Sequence, residues 1–115
     1  MTFLATLDED AFRQFFSGSP IKRIGRNRFL RNVLLAMGNS NFVTFVPVVK
    51  QKLAEEDPVV RGAAVWTLSR LLSAQDFEAL AIRALQTEVD PDVLDEWMQG
   101  GEEVAQRRAI EGFEA

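Results

Sequence analysis

Asp57-Pro58-Val59-Val60-Arg61 returns as Asp90-Pro91-Asp92-Val93, 33 residues further along the chain. Each copy pairs a residue that caps helices well with a proline suited to a helix's first turn. Behind the first copy, Val60, Ala64, Val65, Leu68 and Leu72 recur at helical spacing. A shift of 31 residues towards the N-terminus places Phe29 under Val60, Val33 under Ala64, Leu34 under Val65 and Met37 under Leu68. A helix-pair period in the low thirties is the signature of an α-solenoid. No stretch alternates apolar and polar residues cleanly, and no Asn-Gly hairpin signal competes. The expectation is an all-α fold.

Asp-Pro-x-Val-Arg followed by small residues resembles the HEAT consensus, so the solenoid is read as HEAT-like, with about two and a half to three repeats. At 115 residues the chain is read as one domain. Residues 1–18 form an N-terminal capping helix, 19–27 a basic loop, 28–99 the helical repeats and 100–115 a tail. Asp8, Glu9 and Asp10 suit the positive end of the first helix, and Phe12, Phe15 and Phe16 give it an apolar face. Ser17-Gly18-Ser19-Pro20 stops that helix, and Asn27 is read as the N-cap of the next. Gly38-Asn39-Ser40-Asn41 is expected to end that second helix. Further helices are predicted over 41–54, with Pro47 in the first turns, over 59–72, from Ser73 or Ala74 to about Glu88, and over 92–99. Gly100-Gly101 is expected to break the last of these.

Charge is distributed unevenly. From Arg13 to Arg31 there are six cations and no acid, while the remaining seven cations face all seventeen acids. A local +6 inside a remainder of −10 points to an anionic partner. The chain has no Cys, which removes disulfides, thiolate catalysis and iron–sulfur ligation, and no His, the commonest general base and transition-metal ligand. The paired carboxylates (Glu55-Glu56, Asp90 and Asp92, Glu102-Glu103) fall in turns or the tail, with no phosphate loop and no metal-ligand spacing, so no catalytic or metal site is expected. The longest mostly apolar run, Val43 to Val49, is too short to span a bilayer, and no secretory leader is recognisable. The expectation is a cytoplasmic chain with no membrane contact.

Ser19-Pro20-Ile21-Lys22-Arg23, then Arg28-Phe29-Leu30-Arg31-Asn32-Val33 and Gly38-Asn39-Ser40, resemble the C-terminal region of bacterial epoxyqueuosine reductases. The resemblance runs roughly from Leu7 to Trp97. It implies a part of an oxidoreductase that completes the tRNA base queuosine. That family carries a cobalamin-binding catalytic part, a ferredoxin-like part with two four-iron clusters, and C-terminal HEAT-like repeats. The implied cofactors belong to upstream domains, and no cofactor is expected in this chain. The implied partners are tRNA and those upstream domains.

On the helical register, Arg28, Arg31, Asn32, Leu35, Gly62, Ala63, Trp66 and Arg70 fall on one outward strip, which turns acidic towards Asp95 and Gln99. The expected nucleic-acid-binding residues are Lys22, Arg23, Arg26, Arg28, Arg31, Trp66 and Arg70, with Trp66 either stacking on a base or ribose or packing between helical layers or against the N-terminal helix. Arg61 falls on the core face instead and is expected to pair with Asp57 or Asp90. Two other readings stand beside RNA docking: a protein-interaction solenoid, and a structural segment that packs on an iron–sulfur domain.

Overall fold

The computed structural model describes residues 1–114, and among them there are eight α-helices and no strand. They are α1 (Thr2–Ala5), α2 (Glu9–Phe15), α3 (Ile21–Ile24), α4 (Arg26–Ser40), α5 (Val46–Gln51), α6 (Pro58–Leu71), α7 (Ala74–Ala84) and α8 (Pro91–Glu114). Short 3-10 turns at Val43–Phe45 and Lys52–Ala54 flank α5. The all-α expectation holds.

The two Asp-Pro copies start α6 and α8. The Asp57 carboxylate accepts from the Val59 amide at 3.0 Å, and the Asp90 carboxylate accepts from the amides of Asp92 at 2.9 Å and Val93 at 3.1 Å. The prolines take the first helical position, where no intrahelical amide bond is lost. α6 packs on α4 along one side and on α8 along the other. α5 packs against α6, and α7 against α8. The molecule measures 53 × 29 × 19 Å.

The core follows the 31-residue register. Phe29, Val33, Leu34, Met37, Val60, Ala64, Val65 and Leu68 are all buried. Phe12 and Phe16 close the N-terminal end by stacking at 5.3 and 4.9 Å on Phe29, whereas Phe15 points out and is 55% exposed. The capping helix expected over 1–18 is two helices, α1 and α2: α1 buries Ala5, and Leu7 just after it is also buried.

Several boundaries differ from expectation, each for a physical reason. Gly25 with φ 83°, not Asn27, caps α4, because the helix begins two residues earlier, at Arg26. Within the basic loop, Ile21–Ile24 form a single helical turn. α4 does end within the expected Gly38–Asn41 stretch, at Ser40 with a left-handed Asn41 as its cap, while Gly38 itself is still helical. A Cβ at Gly38 would lie 2.6 Å from the Trp66 ring and 3.3 Å from Thr67 Cα, so glycine there lets α4 and α6 touch. The Thr67 hydroxyl reaches across this contact to the Leu34 carbonyl at 2.7 Å.

The largest difference is the tail. Gly100-Gly101 does not break the last helix, and α8 continues to Glu114. A Cβ at Gly100 would meet the Phe77 ring at 2.6 Å and Ser69 Cβ at 3.1 Å, so this glycine is the contact point of α8 with α6 and α7. Beyond it Val104 is fully buried, and Arg107 donates to the Ser69 and Leu72 carbonyls at 2.7 and 3.3 Å. Those bonds satisfy carbonyls at the C-terminus of α6 and hold the extension down. Of the predicted tail, Ala115 lies outside the described residues.

Candidate nucleic-acid interface

α4, α6 and α8 together line one open groove of about 270 Å³, with Arg31 and Leu35 from α4 on one wall. Pro58, Val59, Gly62, Ala63 and Trp66 from α6 make its floor, and Asp92 and Glu96 from α8 the opposite wall. Most of the predicted outward strip is therefore brought together. The acidic end differs: Asp92 and Glu96 line the groove in place of Asp95 and Gln99. The cause is the spacing of α6 and α8, which sets Gly62 beside Glu96 rather than Asp95.

Arg28 and Arg31 are exposed and share a shallow depression with Ile24, Asn27, Asp57 and Val59, continuous with the groove through Arg31. The Arg31 guanidinium touches the Asn32 side-chain oxygen at 3.3 Å. Lys22 and Arg23 are exposed on α3, around a separate depression with Gly18, Ser19 and Pro20. Among the described residues none of these four cations has a carboxylate partner.

Arg26 departs from the sequence reading. Its guanidinium lies 2.6 Å from the Glu55 carboxylate, and its Nε donates to the Leu7 carbonyl at 2.6 Å. Its side chain is only 15% exposed, so this charge ties the N-terminal segment to the turn before α6 and faces no incoming phosphate.

Trp66 is half-buried, with one edge against Gly38. The Arg70 guanidinium stands 5.5 Å from the centre of its ring in a cation–π contact. Arg61 meets neither Asp57 nor Asp90, whose carboxylates are occupied as helix caps. It pairs with Glu88, Nε to Oε1 at 2.8 Å and Nη2 to Oε2 at 3.0 Å, and also donates to the Glu55 and Glu56 carbonyls. The hydrogen bond from Arg61 holds the Glu88 carboxyl below the usual range. Burial, and then the neighbouring Asp95 charge, push the Glu96 carboxyl up.

The groove residues that sequence reasoning missed are Pro58 and Val59, at the start of α6, and Asp92 and Glu96, which the packing of α8 on α6 brings to the same groove. No group of metal-ligating side chains occurs among the described residues. With no Cys and no His, the donor set does not fit an iron–sulfur cluster. No helix is long and apolar enough to cross a membrane among the described residues.

Three curated epoxyqueuosine reductases are similar to this chain. The Listeria monocytogenes enzyme is 33% identical over 94 residues, which is 81% of this chain and 24% of the enzyme. The Bacillus anthracis enzyme is 28% identical over 109 residues, 94% of this chain and 28% of the enzyme. The Yersinia pestis enzyme is 27% identical over 79 residues, 69% of this chain and 19% of the enzyme. No family model matches the chain, and no solved structure matches it significantly. The resemblance read from the basic loop and the Arg-Asn-Val helix is thus borne out: the chain is similar to epoxyqueuosine reductases over most of its own length and spans about a quarter of theirs.

Proposed function

We propose that this chain is a HEAT-like tRNA-docking module of an epoxyqueuosine-reductase-type enzyme, with the reduction carried out by domains that hold the cofactors. The repeat reading draws support from the recurring Asp-Pro caps, from the α4–α6–α8 row, and from α5 and α7 packed beside it. The observation that carries the docking role is the placement of two exposed cations without carboxylate partners, Arg31 on the wall of the groove that contains Trp66 and Arg28 in the depression that adjoins it. Unpaired cations beside an aromatic surface are what a single-stranded or looped RNA needs: charge for its backbone and a ring for a base. Lys22 and Arg23 extend the cationic surface onto α3. The chain itself is not the catalyst in this reading, since it lacks the thiolates that hold iron–sulfur clusters.

The test is binding of labelled tRNA at several salt concentrations. Four phosphates contacted by Lys22, Arg23, Arg28 and Arg31 give log K against log salt a slope of about −2.8 to −3.6. Salt-insensitive binding, or none at low salt, would overturn the reading. A second reading, docking of another polypeptide, is favoured by one feature: Phe3 and Phe15 form an edge-on pair at 5.5 Å with both rings exposed. Tight capture of a protein partner that is lost on changing Phe15 to Ser, with no tRNA binding, would select it.

A further inference from the structure

We infer that the groove between Trp66 and Glu96 is a subsite for a single base, selective for guanine; this rests on the RNA-docking reading. At about 270 Å³ the groove is at or below the ~300–1,000 Å³ of sites for drug-sized ligands, so it suits one ring system.

The Trp66 ring packs one edge on Gly38 of α4, and Arg70 stands over the ring at 5.5 Å. Trp66 and Gly62, one turn apart on α6, line the groove together. Nothing in the fold demands glycine at this position: a Cβ on Gly62 would meet only Glu96 Cγ, at an ordinary 3.7 Å. Gly38 and Gly100, by contrast, would clash at 2.6 Å. The missing side chain at position 62 keeps the floor beside Trp66 flat and open, which is what a stacked base requires.

The wall from α8 then selects the base. Glu96 and Asp92 stand one helical turn apart, and among the described residues neither carboxylate has a side-chain hydrogen-bond or ion-pair partner. Glu96 is partly stripped of water, and burial raises its pKa, so a pair of donors would suit it. Phosphate offers none and would be repelled. Guanine presents N1–H and N2–H side by side on its Watson–Crick edge, two donors for two carboxylate oxygens. Adenine, cytosine and uracil each set an acceptor beside their donor there, so a carboxylate meets a lone pair. Arg31, on the α4 wall opposite, is left to hold the phosphate of the same nucleotide.

The experiment titrates the full chain with GMP, IMP, AMP, CMP and UMP, following tryptophan fluorescence, with Trp66→Phe as the reference for the signal. GMP is expected to bind roughly tenfold or more tighter than AMP, CMP and UMP, with IMP, which lacks the N2 amino group, in between. Glu96→Gln should abolish the preference, and Gly62→Leu should block all five nucleotides while leaving salt-dependent tRNA binding through the basic residues. Equal affinities, no nucleotide binding at millimolar concentration, or a preference that survives Glu96→Gln would each overturn the inference. Salt-dependent tRNA binding without a guanine preference sinks the subsite alone. A guanine preference without tRNA binding sinks the docking reading and leaves the groove's base selectivity standing.

Discussion

Arg61 and Glu88, 27 residues apart, meet in a two-point contact at 2.8 and 3.0 Å that ties the turn before α6 to the turn before α8. Both side chains are largely buried, at 18% and 10% exposure. The guanidinium also satisfies the Glu55 and Glu56 carbonyls, while Glu88 accepts from the Val89 and Asp90 amides. One ion pair therefore completes the hydrogen bonding of two turns that would otherwise leave polar groups unpaired.

Removing one partner should be costly. Arg61→Ala leaves a largely buried carboxylate without its counter-charge and should lower stability by about 2–4 kcal/mol, somewhat under the range for fully buried pairs. Arg61→Lys should recover only part of this, because a point charge cannot make the two-point contact. Urea denaturation of the three proteins measures the difference, and equal midpoints would remove Arg61 from this role.

The same pair sets a pH dependence. The Glu88 carboxyl titrates lower in the folded chain than in the unfolded one, chiefly through the Arg61 hydrogen bond. Its contribution is present above the unfolded value of about 4.3 and is lost as pH falls through the folded value. Glu96, raised by burial, acts in the opposite direction and favours the folded state as pH falls. Melting midpoints from pH 7 to pH 3 should fall more steeply for the Glu96→Gln protein, which lacks the opposing contribution, than for the original chain. They should fall less steeply for Glu88→Gln.

Local signals explain what could be read from the sequence. An Asp-Pro pair caps a helix using atoms two or three residues away, so both copies were legible, as was the buried register from Phe29 to Leu68. Partners distant in the chain were not legible. Arg26 looked like one more cation of a basic loop because its acid, Glu55, is 29 residues away. Arg61 points in the sequence to the turn acids Asp57 and Asp90 because nothing local says that both are already caps. Gly100 reads as a helix breaker until Phe77 is placed against it. Counting charges locates an anion-facing region but does not separate free cations from paired ones.

The adjacent glycines of α8 make a test of opposite sign. Gly101 is open, with nothing within 4 Å of a Cβ, so Gly101→Ala should stabilise by about 0.5–1 kcal/mol through helix propensity and a less flexible unfolded chain. Gly100→Ala gains the same propensity but drives its methyl into the Phe77 ring and Ser69, and should be destabilising by about 1–3 kcal/mol. Thermal melts of the two variants that moved in the same direction would show that α8 does not cross α7 at Gly100.

Core and groove positions one residue apart should also separate. Leu34 and Leu68 are fully buried, whereas Leu35 is only half-buried on the groove wall. Leu68→Ala should cost about 2–5 kcal/mol, a large share of the stability of a domain this size. Leu35→Ala should cost clearly less, and equal denaturation midpoints would contradict the register of α4 against α6.

The decisive contrast for function lies between Arg26 and its neighbours Arg28 and Arg31. All three are cations within six residues, and composition cannot tell them apart. In the folded chain Arg26 is bound to Glu55 and the Leu7 carbonyl, while Arg28 and Arg31 stand exposed beside the groove. Arg26→Ala should therefore lower stability, by loosening the N-terminal segment, and leave the salt slope of tRNA binding unchanged at temperatures where the variant is folded. The Arg28→Ala, Arg31→Ala double variant should keep its stability within a few tenths of a kcal/mol, as surface changes usually do. Its affinity for every tRNA should fall, and its salt slope should flatten by about 1.4–1.8 units. Trp66→Ala should weaken binding with the slope intact, because stacking releases no counterions. A double variant that binds tRNA as tightly as the original chain, with the same slope, would take phosphate contact away from this face.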